Sequence, residues 1–187
     1  MKALILNGAR KGDPSLLALI QHLLEEKLGE GGWGVTVFLL RELSAAHCAG
    51  CSGCWAKDAC VYRDSTQEIA DQIADSDLLI FLTPITFGGY SAELKQALER
   101  LIPGWISSST ELGEDGVREP HYPSLLAVGT LQHPVADSEH FFREVVERSA
   151  VNFFSPSHAA GVIVGDPGPE QIRQEILALL DQVGVAS

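Results

Sequence analysis

Five short apolar runs constrain this chain more than any other feature. They are KALILN (Lys2–Asn7), GVTVFLL (Gly34–Leu40), DLLIFL (Asp77–Leu82), SLLAVGT (Ser124–Thr130) and HAAGVIVGD (His158–Asp166). A strand with one face in water alternates apolar and polar residues. These runs are apolar throughout, so both faces of the sheet they form must be covered. The covering elements are legible between them. Leu16, Leu17, Ile20, Leu24 and Leu28 make one helical stripe that stops at Gly29. DSTQEIADQIADSD (Asp64–Asp77) reads as a second helix, opened by a capping box of Ser65 and Glu68. Further helices are expected over Ser91–Ile102, Ser138–Val151 and Pro169–Val183. Strand and helix alternate five times, which defines an α/β fold with a doubly wound parallel sheet in three layers. With 187 residues the chain is expected to form a single domain, 1–187.

Charge narrows the function. The formal net charge is −12, which excludes a general nucleic-acid binder, since that needs a basic face. It also disfavours docking on an anionic membrane. No run is long and apolar enough to span a bilayer. The opening MKALILNGARKGD lacks the pattern of a secretion signal, so a cytoplasmic protein is expected. The connection Pro103–Pro123 is polar and acidic over residues 104–123, and reads as a surface insertion, a lid or an oligomer contact.

In an open parallel sheet, ligands bind beyond the carboxyl ends of the strands. Three loops leave that edge. NGARKGDPS offers Gly8, Ala9, Arg10, Lys11 and Ser15 at the start of a helix, a natural position for a phosphate. It is neither a P-loop nor a G-x-G-x-x-G turn. TPITFGGY offers Pro84, Ile85, Thr86, Phe87, Gly88 and Gly89, suited to a planar, partly polar ring system. Lys95 and Arg100, on the helix that follows, read as surface or interface charges. TLQHPVAD brings Gln132 and the titratable His133.

LILNGARKGDPSLLALI, the cysteine loop C-x2-C-x2-C-x5-C and TPITFGGYSAELKQALER occur in this order. Together they resemble the flavodoxin-like NAD(P)H-dependent FMN reductase family, in particular the branch of iron–sulfur flavoproteins. The resemblance covers Met1–Arg100 and implies a five-stranded sheet of order 2-1-3-4-5 with FMN at the β1/β3 switch point. It places the FMN phosphate around Gly8, Ala9, Arg10, Lys11 and Ser15. The isoalloxazine would lie against Pro84, Ile85, Thr86, Phe87, Gly88 and Gly89, with Gln132 at the edge of the flavin or the substrate space. It implies ping-pong reduction of flavin, a quinone or another small-molecule or protein acceptor by NAD(P)H, and assembly as a homodimer or homotetramer. No catalytic side chain is implied. The chain departs from the family pattern at Ala9, where a hydroxyl residue is usual, in a first loop about one residue shorter, at Thr86, where an aromatic often stacks, and in the third loop, which lacks a usual pair of glycines.

Cys48, Cys51, Cys54 and Cys60 are all the cysteines of the chain and sit in one loop. Four thiolates at this spacing could hold a 4Fe-4S cluster, as in the iron–sulfur flavoproteins. Zinc, with His47 in reserve, a redox pair of Cys51 and Cys54, and free thiols that pack the loop are the other readings. Three functions follow: a reductase, an FMN and iron–sulfur electron carrier, or a flavodoxin-like interaction domain without flavin.

Overall fold

The computed structural model describes residues 1–13, 16–54, 60–108 and 121–185, with backbone alone over 102–108. Strands β1 (Lys2–Asn7), β2 (Gly34–Leu39), β3 (Leu78–Pro84), β4 (Ser124–Leu131) and β5 (His158–Val164) form one parallel sheet of order β2-β1-β3-β4-β5. This is the flavodoxin-like order that the family resemblance implies. The helices are α1 (Leu16–Glu30), α2 (Thr66–Ala74), α3 (Ala92–Ser108), α4 (Ser138–Asn152) and α5 (Pro169–Gln182).

Successive strand residues point to opposite faces, and the two faces carry separate cores. Ala3, Ile5, Leu78, Ile80 and Leu82 pack with Ile20, Leu24 and Leu28 of α1 and Ile172 and Ile176 of α5. Leu4, Leu6, Leu79 and Phe81 pack with Ile69 and Ile73 of α2, Leu94 and Leu98 of α3, and Phe142 and Val146 of α4. The continuous apolar runs thus have their physical cause: β3 is buried along its whole length. The edge strand β2 is only half-buried.

Two local expectations are corrected. Ser65 makes no side-chain cap for α2. The preceding Asp64 does that work, its Oδ1 accepting the Thr66 amide at 3.1 Å and the Thr66 hydroxyl at 2.8 Å. Helix α3 does not stop at Ile102 but continues through Pro103 to Ser108. Pro103 has no N–H to give to the Glu99 carbonyl, and the backbone stays helical across that missing bond. The acidic stretch expected over 104–123 therefore begins as helix, and its residues 109–120 lie outside the described residues.

Candidate flavin site at the carboxyl edge of the sheet

The loops after β1, β3, β4 and β5 meet at one edge and enclose a cavity of about 680 Å³. Pro84, Ile85 and Leu131 give it apolar walls, together with Leu16 and Leu17 from the first turn of α1. Arg10 and Asp13 stand at one end, and Gln132, His133 and Asp166 supply further polar groups. Ile85 is fixed by its amide, which donates to Thr130 O at 2.9 Å. It also lies against Gly129, where a Cβ would come within 2.6 Å of Ile85 Cδ1 and 2.9 Å of Phe142 Cζ. Gly129 of β4 thus leaves room for Ile85, just beyond β3, in the cavity wall.

The sequence-predicted residues that line a cavity divide among three places. Arg10, Pro84, Ile85, Gln132 and His133 line this cavity. Phe87, Gly88 and Gly89 line a neighbouring groove with Tyr90 and Phe141. Lys11 lines a third hollow with Arg41 and Glu93. Ser15 lies outside the described residues. Thr86 and Gly89 exchange amide hydrogen bonds at 3.0 Å, closing a two-residue turn around Phe87 and Gly88. Both central residues have positive φ, 52° and 76°, as a type I′ turn requires. The turn holds the Phe87 ring fully in solvent. The Thr86 and Gly89 amides are thereby spent on each other's carbonyls. Sequence reasoning missed Asp13 and Asp166. Asp166 could have been found, because order 2-1-3-4-5 sends the end of β5 to the same edge.

Gly8 serves packing as well. Its amide donates to Leu82 O at 2.7 Å, and a Cβ there would sit 2.6 Å from Ser91 Oγ. Ala9 is buried, and its amide donates to Asn7 Oδ1 at 2.8 Å. Asn7 is itself held by Gln21, 2.7 Å from its Nδ2. Tyr90 is buried under this edge with its hydroxyl 2.8 Å from Ser149 Oγ, and burial pushes the phenol well above its usual range against that hydrogen bond.

The described ends of the cysteine loop lie against α3 at Gln96 and Arg100. Cys48 and Cys51 are exposed, Cys54 and Cys60 partly buried, and all four thiols are free. Among the described residues, no three Cys, His, Asp or Glu side chains gather as a metal site. As placed, the thiols do not fit a cluster. Arg100, expected at the surface, is instead buried and organises this region. Its guanidinium pairs with Asp64 and donates to Ala46 O at 3.2 Å, Tyr62 O at 3.3 Å and Cys60 Sγ at 3.4 Å. Gln96, one turn earlier, donates to Ala45 O at 2.6 Å. Helix α3 therefore clips both stems of the loop. Burial alone would raise the Asp64 carboxyl. The hydrogen bonds from Arg100, the Ala46 amide and Thr66 outweigh it and hold the group well below the usual carboxylate range.

The sheet has the flavodoxin-like order, and the cavity, apolar with mixed charge at one end, lies at its β1/β3 switch point, where open sheets of this kind bind ligands. The profile of the family described as NADPH-dependent FMN reductase matches residues 1–113, and the chain belongs to that family. It is similar to an iron-sulfur flavoprotein of Methanosarcina thermophila, 29% identical over 102 residues, covering 54% of this chain and 53% of the relative. It is also similar to one of Archaeoglobus fulgidus, 27% identical over 103 residues, covering 55% of this chain and 46% of the relative. The aligned part thus spans about half the length of these curated relatives. The fold matches an NAD(P)H:quinone oxidoreductase from Methanothermobacter marburgensis with a TM-score of 0.72 at 17% identity, over 99% of this chain and 94% of that one.

Proposed function

We propose that the chain binds FMN in the cavity at the carboxyl edge and uses NAD(P)H to reduce a small acceptor, such as free flavin or a quinone, in ping-pong order. The observation that carries this reading is the cavity itself, formed by the loops after β1, β3 and β4 and lined by Arg10, Pro84, Ile85 and Gln132. Its size suits a planar ring, and its walls are apolar with polar groups set among them. When bound, FMN supplies the hydride chemistry, taking electrons from NAD(P)H and giving them to the acceptor. The chain's own residues bind and orient. Pro84 and Ile85 give the ring an apolar face that excludes water. Gln132 offers an amide that both donates and accepts at a ring edge. His133, next in sequence, is exposed and lines the same cavity. Nothing in this scheme requires a nucleophile.

The exposed rings of Phe87 and Phe141, in the groove beside the cavity, support pairing with a second copy as a homodimer or homotetramer. A second functional reading, an electron carrier with an iron–sulfur centre, draws on the C-x2-C-x2-C-x5-C spacing and the names of the relatives. The placement of the thiols speaks against it. A visible spectrum of anaerobically purified protein, with iron analysis and NADH or NADPH oxidation in the presence of a quinone, tests the proposal. Yellow protein that releases FMN, lacks stoichiometric iron and turns over NAD(P)H is expected. Brown protein with iron would favour the carrier. Colourless protein that FMN does not stabilise against heat would sink both.

A further inference from the structure

Among the described residues of the β1–α1 loop, the first three amides are already committed to acceptors within the protein. The Gly8 amide is committed to Leu82 O and the Ala9 amide to Asn7 Oδ1. The Arg10 amide donates to Asp13 Oδ2 at 2.5 Å. The Arg10 guanidinium grips the same carboxylate, with Nη2 3.1 Å from Oδ1 and Nε 3.3 and 3.4 Å from the two oxygens. Asp13 thereby makes the contacts that an anionic oxygen of a ligand would make: one backbone N–H and a guanidinium fork. Its side chain is only 10% exposed. Asn7 and Gly8 cannot shift to free other amides without breaking the Gln21 contact or the packing on Ser91.

Charge points the same way. The cavity lining carries two carboxylates, Asp13 and Asp166, against one guanidinium, Arg10. Lys11, the other cation of the loop, faces a different hollow. An incoming phosphate would meet a net negative mouth in a chain whose formal charge is −12. A tethered anion also competes at a high effective concentration, which a free ligand must overcome.

We propose that Asp13 is a built-in anion that fills the phosphate end of the flavin site, so that the site gives little preference to FMN over the same flavin without its phosphate. This rests on the flavin reading of the cavity. Asp13 then sets flavin specificity: a phosphate gains Arg10 only by displacing a carboxylate already bonded to it. The ring is held by Pro84, Ile85 and Gln132, which are the same for both flavins.

The test is a pair of fluorescence-quenching titrations, FMN and riboflavin, in phosphate-free buffer. The proteins are the full chain and its Asp13→Asn and Asp13→Ala variants. Asparagine keeps an acceptor for the Arg10 amide but removes the charge, and alanine empties the position. The wild-type chain is expected to bind the two flavins within about tenfold of each other. Both variants are expected to raise the FMN-to-riboflavin preference about tenfold, the scale of one charge-assisted hydrogen-bond network released to the ligand. Riboflavin affinity should move by less than about threefold. A preference that stays within about threefold of the wild-type value in both variants, with riboflavin still bound, overturns the role of Asp13 and leaves the flavin site standing. Binding of neither flavin by any of the three proteins, each unfolding cooperatively, overturns the flavin reading and this proposal together.

Discussion

The molecule contains two Arg–Asp pairs of the same chemistry and opposite consequence. Arg10 and Asp13 lie three residues apart in the β1–α1 loop, with side chains 48% and 10% exposed. Arg100 and Asp64 lie 36 residues apart, with side chains 1% and 16% exposed. The first pair closes a local loop within four residues. The second joins helix α3 to the start of α2, and through Ala46, Cys60 and Tyr62 to both stems of the cysteine loop. A guanidinium taken out of water must have partners, because a buried charge left alone is costly. The environment, rather than the residue types, makes one pair a ligand-facing device and the other a structural clamp.

The largest expected effect follows from breaking the clamp. Arg100→Met should cost about 3–5 kcal/mol in urea unfolding, since it strands the Asp64 carboxylate in a largely buried position. It should also speed labelling of Cys60 by a thiol reagent, because the guanidinium that holds Sγ is gone. Arg100→Lys should recover only part of the loss. Lysine keeps the charge but cannot reach Asp64, Ala46, Tyr62 and Cys60 with one fork. A loss below 1 kcal/mol for Arg100→Met would erase the distinction between the two pairs.

A smaller effect, with a pH signature, comes from the other half of the clamp. Asp64→Asn should cost about 1.5–3 kcal/mol at neutral pH, the range for a hydrogen bond to a charged group. The folded state holds this carboxyl below the ordinary aspartate value of about 3.9. Its contribution is therefore complete above about pH 5 and fades as pH falls toward the lower folded value. The stability gap between wild type and Asp64→Asn should be flat from about pH 6 to 8 and narrow below about pH 4. Urea midpoints across that range read it directly, and a gap as wide at pH 3 as at pH 7 would mean the carboxylate charge is not what the clamp uses.

These two regions also differ in how far the sequence discloses them. That the sheet is doubly covered was readable because five runs without alternation require cover on both faces, and the two separate cores meet that requirement; the order of its strands came only from the family resemblance. The cavity was partly readable: switch-point logic finds Arg10, Pro84, Ile85, Gln132 and His133. It could not show that Phe87 turns out to solvent, because that depends on a turn whose two central residues both adopt positive φ. Arg100 was misread because a helix position alone does not say which loop returns to cover it. The partners that bury it, Ala46, Asp64 and Tyr62, are 54, 36 and 38 residues away in sequence. The cysteine spacing carries the opposite lesson. A compact motif fixes which thiols are near one another in the chain, yet Cys60 is held by an arginine 40 residues on.

The smallest expected effect belongs to the exposed pair. Arg10→Ala should change stability by less than about 1 kcal/mol, the usual ceiling for a pair open to solvent. The reason is specific to this loop. The Arg10 amide still donates to Asp13 after the side chain is removed, so the turn keeps its main-chain closure. What changes is the anion's second grip, held by Nη2 and Nε. Urea unfolding at low salt and at about 1 M salt should place wild type and Arg10→Ala closer together at high salt, where an exposed pair is screened. Arg100→Met should keep its deficit at both, because salt screens a buried pair much less. A loss at Arg10 as large and as salt-insensitive as the loss at Arg100 would mean that the β1–α1 loop is a second clamp, and its carboxylate would then be too firmly held to yield to any ligand.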